Sequence, residues 1–155
     1  MTRWWIRADA SGQIGLGHVM RCVAIAEEVV SHGLEVCFVL ADPSHVVVGI
    51  LARRGFATVV VPDAHDSGWS EVLRAGDVVV FDGYHLTAAD WAVARAAGST
   101  VIVVDDSGIT EADVDLIVNP DPLPDSPALD APRLLAGPRY ALVRREFRAR
   151  RRRRG

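Results

Sequence analysis

Short apolar runs of strand length alternate in this chain with segments whose apolar residues recur at helical spacing, and no other feature restricts the fold so tightly. Strands joined through helices cross back over the sheet and lie parallel, so the pattern specifies βαβ units. The first run is Trp4 to Ala8. Val19, Met20, Val23, Ala26 and Val30 then recur at helical period, and Gly33 stands where a left-handed cap ends a helix, which spans Gly17 to His32 on this reading. Glu35 to Leu40 reads as the second strand, Asp42-Pro43-Ser44 as a helix start and Gly55 as its close. Ala57 to Val61, Asp77 to Phe81, Thr100 to Val104 and Leu116 to Val118 are further strands. Trp69 to Ala75 reads as a short helix, and Thr87 caps another that carries Trp91 and Val93 and reaches Gly98. Leu134 to Val143 forms a last extended piece around the Gly137-Pro138 turn.

In an open parallel sheet the ligand crevice lies beyond the carboxyl ends of the strands, where helix amino-termini with unpaired N–H groups converge. That rule selects Asp9 to His18, Asp42, Asp82 to His85, Asp105 to Ser107, and Asn119. Acids, hydroxyls, a histidine and an amide on one rim make a candidate site.

Composition narrows the context. The net charge of -3 conceals an acidic body and a basic end, because eight arginines fall between Arg144 and Arg154. No aromatic residue interleaves with Arg150 to Arg154 and no base-reading motif accompanies them, so nucleic acid is not the expected partner. Residues 148–155 read as a solvated tail or a truncated interdomain linker, after one domain over residues 1–147. The amino-terminal stretch reaches Asp9 too soon to hold a secretion signal, and no run approaches the roughly 20 apolar residues of a membrane span. A cytoplasmic location without a membrane partner is expected. Cys22 and Cys37 lie in a helix and a strand, with no second pair at metal-ligand spacing, so both are expected to be core thiols and no metal site is expected.

The segment from Arg7 to Cys22 carries most of the chemistry. Gly12, Gly15 and Gly17 permit close backbone approach, and the loop opens directly into a helix whose positive end attracts anions. It is not the dinucleotide fingerprint, since Met20 stands where the third glycine belongs; Asp42, placed as a ribose-binding acid, keeps a dinucleotide-binding domain as a competing reading. The phosphate-loop pattern is absent, and no cofactor is expected. His18 falls at the first turn of the helix, at the mouth of the crevice, where an imidazole exchanges protons near neutral pH. It is the candidate catalytic residue.

The string Arg7-Ala8-Asp9-Ala10-Ser11, followed by Ile14-Gly15-Leu16-Gly17-His18-Val19-Met20-Arg21-Cys22, resembles the amino-terminal signature of the UDP-2,4-diacetamido-2,4,6-trideoxy-β-L-altropyranose hydrolases of pseudaminic acid biosynthesis and of related spore-coat polysaccharide proteins. Asp82-Gly83-Tyr84, Val104-Asp105-Asp106, Asp115 to Asn119 and Gly137 to Phe147 resemble later segments of the same family. The resemblance implies an α/β, Rossmann-like fold, a mainly parallel sheet with helices on both faces, equivalent to the N-terminal domain of a glycosyltransferase-B architecture. It implies a UDP-linked sugar as substrate, a second nucleotide-binding domain as partner, and His18 as the base that activates water without a metal. Asp9, Ser11, Gly15, Gly17, Arg21, Asp82, Tyr84, Asp105, Asp106 and Asn119 would then line the substrate site. Two alternatives stay open: a non-catalytic or truncated sugar-binding domain, and half of a glycosyltransferase, because a fold does not fix a reaction.

Overall fold

A computed structural model of the chain describes residues 2–9, 16–106, 113–121 and 134–147. Seven strands form one parallel sheet: β1 (Arg3–Ala8), β2 (Glu35–Ala41), β3 (Ala57–Val61), β4 (Val78–Asp82), β5 (Thr100–Val104), β6 (Leu116–Asn119) and β7 (Leu134–Ala136), in the order β3-β2-β1-β4-β5-β6-β7. The chain builds outward from β1 to one edge and then returns to β4 to build toward the other. β1 and β4 are therefore neighbours whose following segments diverge, the switch point at which open parallel sheets carry their ligand crevice, beyond the carboxyl ends. The register Ala8↔Asp82 sets those ends level.

Helices cover both faces, the Rossmann-like arrangement. On one face α1 (Gly17–Ser31) and α2 (His45–Arg53) pack Val19, Val23, Ala26, Val47 and Leu51 against Ile6, Phe38 and Leu40. On the other, α3 (Ala88–Ala96) and a 3-10 helix at Gly68–Val72 pack Trp69, Trp91 and Ala94 against Trp5, Val39 and Phe81. Strand side chains alternate between the faces, so Ile6 and Ala8 point to α1 while Trp5, and with it Arg7, points to α3. Cys22 and Cys37 are both buried and unbridged.

Local chemistry accounts for most boundaries. Ser44 caps α2 by accepting from the Val47 amide, and Thr87 with Asp90 forms a capping box at α3. The short helix expected over Trp69 to Ala75 is a 3-10 turn that stops at Val72, because Asp77 draws the Arg74 amide to its own carboxylate (3.1 Å). The last extended piece is shorter than the apolar pattern suggests: β7 ends at Ala136, since Gly137 takes φ 98 and leads into a 3-10 turn at Pro138–Tyr140. The tail at 148–155 lies outside the described residues. Among the described residues, no helix is long and apolar enough to cross a membrane.

Candidate active site at the switch point

The first turns of α1 place His18, Arg21 and Cys22 on one helix face by their i, i+3, i+4 spacing. That face meets Asp82, the last residue of β4, whose side chain has no exposed surface. Among the described residues, four contacts reach its carboxylate. His18 Nδ1 lies 2.7 Å from Oδ1, Arg21 donates from Nη2 to Oδ1 and from Nε to Oδ2 at 2.5 Å each, and the Cys22 thiol donates to Oδ2 at 3.3 Å. Arg21 then reaches across with Nη1 to Asp106 Oδ2, 2.6 Å away at the end of β5.

A carboxylate only accepts, so the 2.7 Å contact requires the proton on Nδ1 of His18. Arg21 Nη2 also approaches that nitrogen, but at the longer distance of 3.2 Å. Nε2 is thereby left as the lone-pair nitrogen of the neutral ring, and it has no partner among the described residues. Though 8% exposed as a whole, the histidine is enclosed by polar neighbours and by Tyr84, whose ring meets it edge-on at 4.8 Å between centroids. Tyr84 itself is 68% exposed.

The charges around this cluster hold each other in place. Burial works against the Arg21 cation, yet the bonds and charges of Asp82 and Asp106 outweigh it and raise its pKa. Burial likewise favours the acid form of Asp106, but the bonds from Arg21 and Tyr84 win and lower it. Hydrogen bonding to Asp106, followed by burial, raises the Tyr84 phenol above its ordinary value. Burial, reinforced by the Asp82 charge, pushes the Cys22 thiol well up. One acceptor is left over: Asp106 Oδ1 is buried and has no partner among the described residues.

Other residues singled out from sequence fall into different places. Gly17 begins α1, and a Cβ there would meet no atom within 4 Å, so the structure gives no steric reason for glycine. Asp9 is buried behind the crevice, its Oδ1 accepting from Arg7 and from the Ala41 amide (2.6 Å) and its Oδ2 lying 2.7 Å from His85 Nε2. Both oxygens of Asp9 are thus engaged by the protein. Asp105 is buried at the end of β5, with its amide donating to Val118 O (3.0 Å). Asn119, at the end of β6, is buried, its Oδ1 has no partner among the described residues, and it is not bonded to the His18 cluster. Ser11 and Gly15 lie outside the described residues.

The sequence placed His85 on the rim without a partner and gave Arg7 no role beyond the motif string. With Asp9 they form a His–Asp–Arg set on the α3 face, mirroring His18–Asp82–Arg21 on the α1 face. A signal existed for Arg7: a charged residue inside an apolar strand needs a buried partner, and Asp9 two residues on shares its face. Among the described residues, no group of three or more His, Cys, Asp and Glu side chains is placed to hold a metal ion. No family model matches the chain, and no curated protein matches it either.

Proposed function

We propose that this chain is the sugar-side domain of a hydrolase that splits a nucleotide-linked sugar, with His18 as the base. The observation that carries this reading is the Asp82–His18 pair, which fixes the imidazole so that Nε2 is the proton-accepting nitrogen at the crevice. Water held against Nε2 gives up a proton as its oxygen bonds to the anomeric carbon. The bond from that carbon to the nucleotide oxygen breaks, and the electron pair leaves with the diphosphate. Nucleoside diphosphate is a stable anion, so no acid is needed on the leaving side.

The remaining residues serve binding and orientation. Arg21 balances the Asp82 charge and ties β4 to β5 through Asp106. The exposed Tyr84 ring offers a stacking face to a pyranose, and the spare Asp106 Oδ1 accepts a hydroxyl or amide proton. The amino-terminal N–H groups of α1 favour an anion nearby. On the glycosyltransferase-B pattern that the motifs resemble, a second domain supplies most of the nucleotide grip, and the substrate is a UDP-sugar of surface-polysaccharide or nonulosonate synthesis in the cytoplasm.

The test is release of UDP from UDP-2,4-diacetamido-2,4,6-trideoxy-β-L-altropyranose by this chain together with the nucleotide-binding domain. Release that needs no sugar acceptor supports the reading, and His18→Ala should slow it by about 100-fold or more with folding intact. Release only with an acceptor points to a glycosyltransferase half. Turnover unchanged by His18→Ala rejects His18 as the base.

A further inference from the structure

On the α3 face, across the sheet from His18, the segment after β3, the 3-10 turn that carries Trp69 and the start of α3 enclose a cavity of about 300 Å3 floored by Arg7, Trp69 and Phe81. It shares no lining residue with the His18 cluster. The size reaches the lower end of small-molecule sites, and the mixture of aromatic walls with a few polar groups is their usual lining.

Arg7 indicates what the cavity takes. A guanidinium has five N–H donors. Nη1 spends two, on Asp9 and on Val39 O (3.4 Å), and Nη2 spends one on Ala64 O (2.7 Å). The other two, on Nη2 and Nε, meet no acceptor among the described residues. The side chain is 1% exposed, so the cavity that it lines is where those donors find an oxygen. Charge then limits the choice. Asp9 already neutralises Arg7, and Asp66 and Asp90 line the cavity, which disfavours an anion; the unspent N–H donors of Arg7 call for an acceptor oxygen, which a simple cation lacks. Trp69 and Phe81 call for an apolar face.

We propose that this cavity is a second binding site, for a small uncharged ring that bears hydroxyl groups: the pyranose of a sugar or the ribose of a nucleoside. An oxygen of the ring accepts from Arg7, its hydroxyls donate to the aspartates, and its C–H face packs on the aromatic floor. This site does not depend on the hydrolase reading.

Titration of the chain with N-acetylglucosamine, uridine and inorganic phosphate, followed by 1H–15N NMR, tests the assignment. N-acetylglucosamine or uridine should shift the Trp69 indole N–H and the Ser67 and Ala89 amides in the millimolar range, and the tighter of the two identifies the source of the ring. Ala89→Leu, on an exposed position at the cavity, should weaken binding at least about tenfold while leaving the thermal midpoint in place. His18→Ala should not change the binding. No shift at Trp69 with either neutral ring, or tighter binding of phosphate, overturns the proposal. So does a loss in His18→Ala, which would place the binding in the crevice.

Discussion

Replacing Asp82 with asparagine keeps the side-chain shape and removes the charge on which the α1 cluster is organised. Two donors converge on each carboxylate oxygen: His18 Nδ1 and Arg21 Nη2 on Oδ1, Arg21 Nε and Cys22 on Oδ2. An amide offers one oxygen, so two of the donors must face an NH2 group that cannot accept. With the amide oxygen toward His18, the histidine bond survives and Arg21 Nε is orphaned; the reverse orientation orphans His18. Losing the acceptor of a charged, buried donor costs about 1–3 kcal/mol, and loss of the Coulomb attraction adds to it. Arg21 keeps Asp106, and a fifth of its side chain is exposed, which offsets part of that cost. The sum is about 2–4 kcal/mol, which in a domain of this size lowers Tm by roughly 6–12 °C at its midpoint. Differential scanning calorimetry reads it directly. Turnover should fall as well, toward the roughly 100-fold or more expected for His18→Ala, because an amide no longer selects the Nδ1–H tautomer. A Tm within about 2 °C of wild type would refute the buried charge cluster.

Three further outcomes follow from the same structure. Asp77 is buried, which favours its acid form, but donors from the Arg3 amide, the Trp5 indole and the Arg74 amide outweigh burial and lower its pKa. Its stabilising contribution is therefore complete above the ordinary carboxylate range near about pH 4 and is lost as pH falls through the depressed folded value; the gap in urea midpoint between wild type and Asp77→Ala should close on acidification, and a gap that stays constant would contradict this. Gly137→Ala forces a side chain into φ 98, ψ 171 and should cost about 1–3 kcal/mol in urea unfolding, whereas an unchanged midpoint would mean that the turn relaxes freely. Burial raises the pKa of both cysteines, so iodoacetamide should label neither in the native protein at pH 8 and both once it is unfolded; rapid native labelling of Cys22 would show that α1 does not cover Asp82.

Much of the architecture is legible in the amino-acid order because it rests on local signals. Ala57 to Val61 and Thr100 to Val104 are strongly β-branched runs and form strands with those bounds, and Ser44 and Thr87 cap their helices as polar residues at a helix start should. The spacing of His18, Arg21 and Cys22 also predicts a shared helix face. What that face meets is a long-range matter: Asp82 is 64 residues from His18, and only the placement of β4 beside β1 brings them together. The same reason hides the state of Asp9. In sequence it is an acid on a glycine-rich loop, while in the fold Arg7, Ala41 and His85 engage both of its oxygens. The early end of β7 was obscured by apolar residues on both sides of Gly137, whose backbone conformation no hydrophobic pattern reports.

The most direct test is the protonation pattern of the His18 ring, read from long-range 1H–15N NMR at a pH where the imidazole is neutral. The proton should reside on Nδ1, bonded to Asp82, with Nε2 showing the shift of a bare lone-pair nitrogen, and the pattern should be lost in Asp82→Ala. A proton on Nε2, with Nδ1 accepting from Arg21 instead, would contradict the account, because no base would then face the crevice.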